Sequence, residues 1–215
     1  MNDFPAFILA ATLWLYWIGA CFMVASVSKK GIKAAGLIPQ QKLEQLLWPF
    51  WVPLIVAWNV LPYLALTRPS LFPLVSSAFL AQPAVRFLRW IAALLAVFCL
   101  VATIDCWRQM GDSWSIGIIP HRRTKLVTAG FYASMRHPIY AFSILLMLCS
   151  LVLIPTLAMI FVTGLHLPLL FFKARNEERF LLGVHGEKYR HYCQRTGRFF
   201  PRLLSRQATF PSELQ

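Results

Sequence analysis

The chain has 215 residues, of which 58% are hydrophobic and 13% charged; a soluble domain carries about a quarter charged residues. Long charge-free apolar runs exclude an ordinary soluble globule. The net charge of +13 falls between those runs, where membrane topology and anionic lipid account for it, so no nucleic-acid partner is expected.

The first uncharged run, 4–28, has no basic segment ahead of it, exceeds the length of a signal-peptide core and lacks a clean small-residue cleavage pattern. It is predicted as a retained helical span over 5–27, since a run of about 20 apolar residues crosses the hydrocarbon core as a helix. A second span is predicted at 46–66, bent by Pro49, Pro53 and Pro62. A third is predicted at 87–107, with Arg89 snorkelling from its outer end. The uncharged stretch 69–85 holds Pro69, Pro73 and Pro83, which predicts an interfacial or re-entrant piece. The neutral stretch 138–172, with Pro155 near its middle, is too long for one span and predicts a tight helical hairpin, 139–154 and 155–172.

The fold class expected is therefore all-α: a polytopic membrane protein of about five transmembrane helices, with a C-terminal helical hairpin and a cytosolic amphipathic helix. Its expected division is a three-span region (1–107), a cofactor-binding region containing the hairpin (108–202) and a tail (203–215). With the N-terminus outside, the inner segments 29–45, 107–137 and 173–215 hold 18 of the 21 Lys and Arg residues. The positive-inside rule selects that orientation, with the C-terminus cytoplasmic; a bacterial inner membrane is the expected location. The five cysteines are odd in number and contain no Cys-x-x-Cys pair, which argues against a disulfide framework or a zinc site.

A short hairpin returns the chain to the side it left, so the polar blocks flanking 138–172 must be neighbours. The first ends in Arg136-His137-Pro138-Ile139-Tyr140. Pro138 suits a first helical turn, whose free N–H groups can hold an anion, and Tyr132 and Tyr140 can flank an organic cation. Gly130 allows close backbone approach. The second block carries Glu177 and Glu178, which project about 100° apart on a helix; one is expected to face the first block and the other water or Arg175. Phe180, Leu181, Val184, Tyr189 and Tyr192 suggest an amphipathic helix on the bilayer surface. His166, at depth in the last span, reads more simply as a neutral, bonded histidine than as a functional group. Asp105 is placed to pair with Arg108 three residues on.

These blocks resemble the isoprenylcysteine carboxyl methyltransferase family, within a wider group that includes phospholipid N-methyltransferases. The resembling residues are Leu126-Val127-Thr128-Ala129-Gly130-Phe131-Tyr132, Arg136-His137-Pro138-Ile139-Tyr140, Glu177-Glu178, Gly186-Glu187-Lys188-Tyr189, Tyr192 and Arg198-Phe199-Phe200-Pro201. The resemblance implies a methyltransferase whose cofactor, S-adenosylmethionine, lies in a cytosolic pocket over the hairpin, while a lipophilic substrate enters from the bilayer. By motif, the cofactor would touch Thr124, Lys125, Leu126, Val127, Tyr132, His137, Pro138, Ile139, Tyr140 and Glu177. Phe142 stands where the family has glycine. Lys173 stands where the family has a substrate-orienting arginine, with Arg175 two residues on; these two are the candidate substrate-binding residues. Lysine lacks the bidentate fork that a carboxylate would meet, so the acceptor is left as a lipophilic small molecule, a lipid or a lipid-modified molecule. No catalytic base is assigned, since a carboxylate or thiolate nucleophile needs none and an amine need only be neutral. The alternatives are an NADPH-dependent reductase of the sterol-reductase type, with Arg122, Arg123 and Lys125 supplying phosphate contacts, and a non-catalytic membrane scaffold.

Overall fold

The structure is a computed structural model, and it describes residues 3–29, 36–68, 77–120, 122 and 125–202. It is helical throughout, with no strand among the described residues. In chain order the helices are α1 (Phe4–Ser28), α2 (Lys42–Thr67), α3 (Ser77–Leu80), α4 (Pro83–Met110), α5 (Pro138–Leu153), α6 (Leu157–His185) and α7 (Glu187–Arg195). Four of them, α1, α2, α4 and α6, are long and apolar enough to cross a membrane, and α5 is a shorter apolar helix. The chain is a multi-pass membrane protein.

The helix ends follow from local chemistry. Asp3 caps α1 by accepting the Ala6 N–H at 3.2 Å, and Thr156 caps α6 by accepting from Met159 N at 3.1 Å. Pro83 and Pro138 sit in the first turns of α4 and α5, where a missing N–H is harmless. Between α5 and α6 only Ile154, Pro155 and Thr156 remain, so the predicted hairpin is present with its turn at Pro155. α2 runs unbroken through Pro49, Pro53 and Pro62, and α6 through Pro168.

Packing is arranged for lipid. α4 buries a face of small residues, among them Ala92, Ala93, Ala96, Cys99, Ala102 and Cys106, and small residues let helix backbones approach closely where lipid offers no hydrophobic drive. α1 and α5 pack on α4, and α2 packs on α6. Large apolar side chains such as Leu94, Val101, Phe22 and Phe161 face outward. Some buried polar groups bond across helices or back onto their own, as Trp58 Nε1 donates to Ser150 Oγ at 2.9 Å and Ser150 Oγ to the Leu146 carbonyl at 2.9 Å, whereas His166 Nδ1, expected to be bonded, has no hydrogen-bond partner among the described residues. Trp58 also meets the ring of buried His166 at 5.7 Å.

Several expectations are revised. Arg89 does not snorkel outward. It is buried, ion-paired with Asp3, and donates to the Leu153 carbonyl at 3.1 Å. A counter-charge at the cap of α1 and a free carbonyl at the end of α5 offer it more than the lipid headgroups would. This contact ties together one end of the bundle. In the stretch 69–85, residues 69–76 lie outside the described residues; α3 is a single turn, and Pro83 already begins α4. The expected amphipathic helix is divided at Gly186 (φ +54°). Phe180, Leu181 and Val184 end α6, and strongly amphipathic α7 begins afresh. Asp105 accepts from Gln109 Nε2 at 2.5 Å. The predicted tail 203–215 lies outside the described residues.

Candidate active site

The end of the bundle opposite the Arg89 contact holds the two polar blocks. α6 leaves the apolar core without interruption and carries both glutamates to the first block, as the hairpin requires. Glu178 accepts from Arg136 Nε at 2.9 Å and from Arg198 Nε and Nη2 at 3.0 and 2.6 Å, a two-pronged contact of the kind guanidinium geometry favours. Arg198 also lies over the Phe171 ring at 5.0 Å. Its hydrogen bonds to Glu178 raise its pKa further above the usual guanidinium value, against a smaller effect of burial. Glu177 accepts a short hydrogen bond from the Tyr140 hydroxyl, and its Oε2 lies 3.6 Å from His137 Nδ1. His137 Nε2 is 3.4 Å from Glu178 Oε1, and its ring stacks on Tyr140 at 5.5 Å.

Both glutamates thus face the first block, and neither is turned to water. The expectation that one would be follows from helix geometry alone. It fails because the partners arrive from two directions: the start of α5 on one side, the segment after α7 on the other. That segment pairs with the first block through its backbone. Arg136 N donates to Gly197 O at 2.8 Å, His137 N to Arg198 O at 3.0 Å, and Gly197 N to Ser134 O at 3.2 Å. Tyr192 of α7 donates to the Tyr132 carbonyl at 2.6 Å. Burial raises the pKa of Tyr132 and Tyr189, pushes Tyr192 to about 12, and raises the Cys193 thiol, so these groups stay protonated at neutral pH.

Beside this network lies a cavity of about 210 Å³. Of the residues selected by motif, Lys125, Leu126, Val127, Tyr132, His137, Ile139, Tyr140, Glu177 and Lys173 line it. Pro138 is buried in the first turn of α5, just behind. Thr124 lies outside the described residues, as does Arg123. Arg175 is exposed and does not line the cavity. Lys173 is buried; its ammonium donates to the Ile116 carbonyl at 2.5 Å and lies 4.4 Å over the Trp51 ring. Phe142 packs edge-on against Phe131 at 4.9 Å and Phe98 at 6.0 Å, so it fills an interface between helices. Gly130 (φ +57°) admits the Gln109 amide, which a Cβ would meet at 2.2 Å.

The remaining lining comes from residues that motif reading did not select. Tyr16 and Trp17 of α1, Trp51 of α2, Trp107 of α4 and residues 113–119 also line the cavity. Tyr189 and Tyr192 contribute from α7. The indole N–H groups of Trp17, Trp51 and Trp107 are buried without a hydrogen-bond partner among the described residues. The sequence signal for this half was weak, because tryptophans near span ends are common membrane-interface residues.

Compared with known families, residues 90–183 match the model of the isoprenylcysteine carboxyl methyltransferase (ICMT) family. The likeness to the ICMT family is carried by this segment. A search of curated proteins finds no match to the chain. The ICMT match runs from α4 through α6, and so takes in the hairpin, both glutamates and the residues around Tyr132 and Tyr140. The match supports a membrane methyltransferase in general class.

Proposed function

We propose that the chain transfers a methyl group from S-adenosylmethionine to a lipophilic small molecule, lipid or lipid-modified acceptor that reaches the cavity from the bilayer. One observation carries this reading: eight of the ten residues selected by motif for the cofactor line a single cavity together with tryptophans of α1, α2 and α4. The lining combines aromatic faces, a carboxylate and apolar side chains.

The cofactor fits the chemistry of these groups. When bound, S-adenosylmethionine supplies a methyl group on a sulfonium, activated towards a nucleophile. Glu177, oriented by the Tyr140 hydroxyl and neighbouring His137, offers negative charge to a cationic amino or sulfonium group. Tyr132 and Tyr140 offer ring faces to a cation. The apolar side chains exclude water and hold the acceptor in line, and positioning of this kind can supply most of the rate. The charge distribution supports an orientation with the N-terminus outside and the cavity at the cytoplasmic face; a bacterial inner membrane suits it. Membrane lipids then surround the lipid-facing helices, and nucleic acid has no role.

Calorimetry on the detergent-purified protein tests the cofactor. S-Adenosylmethionine and S-adenosylhomocysteine are expected to bind at micromolar levels, and Glu177→Ala to weaken binding at least tenfold. Absence of binding at high micromolar concentration defeats the reading, and saturable NADPH binding in its place favours the reductase. Labelled cofactor incubated with a total lipid extract then identifies the acceptor through the species that takes up label.

A further inference from the structure

Residues 113–119 connect α4 to the motif loop and form one wall of the cavity. They belong to no helix beyond the 3-10 turn Gly111–Ser113, yet they are held by charged side chains from two helices. From α2, Glu44 accepts the Ile118 N–H with both carboxylate oxygens, at 3.2 and 3.0 Å. From α6, the Lys173 ammonium donates to the Ile116 carbonyl at 2.5 Å. One side chain thus takes an N–H and the other a C=O, two residues apart on the same segment. Glu44 is 2% exposed, a rare degree of burial for a glutamate and one that demands a specific role. It lines a small secondary cavity with Lys173 and Trp51. The fit around it is close: a Cβ on Gly117 would lie 2.8 Å from the Gly36 carbonyl oxygen and 2.9 Å from Glu44 Oε2. Glu44 is also the one acidic residue in the basic inner segment 29–45.

We propose that Glu44 is a positioning residue of the methyl-transfer site: with Lys173 it fixes residues 113–119 as the wall against which the lipophilic acceptor is held. The proposal rests on the methyltransferase reading above and adds a functional residue from outside the matched ICMT segment. Trp114, Ile116, Ile118 and Ile119 give this wall its apolar surface. The role proposed for Glu44 is in acceptor binding, because its hydrogen bonds go to the wall, at the Ile118 N–H, and to none of the residues assigned to the cofactor.

The experiment compares the full-length wild type with Glu44→Ala and Glu44→Gln in detergent. Glutamine keeps an oxygen for the Ile118 N–H and guards against the possibility that the alanine variant fails to fold. Three readouts are taken: amide hydrogen exchange across 113–119, S-adenosylhomocysteine affinity by calorimetry, and kcat and KM for labelled methyl transfer to the lipid extract. Glu44→Ala is expected to speed exchange in 113–119 at least tenfold, raise the acceptor KM at least tenfold and leave cofactor affinity within threefold; Glu44→Gln is expected to stay within threefold of wild type throughout. Unchanged exchange in Glu44→Ala overturns the proposal, as does faster exchange with unchanged acceptor KM. If Glu44→Ala does not fold, a Glu44→Gln protein with cofactor affinity lowered at least tenfold and acceptor KM unchanged overturns it, and a wild-type-like Glu44→Gln supports it. A wild type that neither binds S-adenosylhomocysteine nor transfers label defeats the methyltransferase reading and this role with it; an active wild type matched by Glu44→Ala defeats this role alone.

Discussion

The two adjacent glutamates of α6 divide their work. Glu177 borders the cavity, while Glu178 gathers Arg136, Arg198 and His137. Removing Glu178 strands two guanidinium groups, one of them largely buried, and breaking such a pair costs about 3 kcal/mol. Glu178→Ala should therefore lower the thermal unfolding midpoint by several degrees, followed by circular dichroism in detergent. Arg198→Lys, which keeps charge but loses the fork, should cost about 1 kcal/mol. Tyr192 makes a separate prediction. Its pKa is raised to about 12 from an ordinary 10, chiefly by burial, so the folded state keeps its proton longer than the unfolded one. That stability is fully present below pH 10 and is lost as pH rises towards 12. Tyrosinate absorbance should appear later in the folded protein than in the unfolded one, and Tyr192→Phe should remove one delayed group. The charge of Glu178 was legible in the sequence, but its direction was not. Nothing in a helical spacing announces that Arg198, 20 residues on, will return to the same spot.

At the level of elements, the hairpin was the most legible feature. An uncharged run with one central proline has few other solutions, and its closure brought 136–140 to 173–178 as topology demanded. The segment between α4 and α5 was opaque, because its conformation depends on side chains from α2 and α6. Gly117 shows how narrow that dependence is: Gly117→Ala should push the wall off Gly36 and Glu44. Overpacking of this sort costs about 1–3 kcal/mol, and faster hydrogen exchange confined to 113–119 should report it. Arg89 was misread for a related reason. Its burial depends on Asp3 and Leu153, at the far ends of two other helices.

Across the whole molecule, the order of spans and the end at which chemistry collects were both readable from hydropathy and charge. The part played by α1 and α2 was not, because their tryptophans look the same whether they face a headgroup or a cavity. The proposed orientation has its own test. In intact cells, a membrane-impermeant maleimide should label Phe4→Cys and spare Arg202→Cys until the membrane is opened, with the parent chain as control; the reverse pattern would invert the topology.

The 16 residues of α5 span about 24 Å, less than a hydrocarbon core of about 30 Å, and its N-cap His137 and first-turn Tyr140 line the cavity. The proposed methyl transfer would then take place sunk towards the oily layer. Drawing a long alkyl chain fully into water would cost about 0.8 kcal/mol for each methylene, a barrier that grows with every carbon. A sunken site removes that dependence: the tail of the proposed acceptor stays dissolved among the lipids, and only its head has to rise to meet the methyl group.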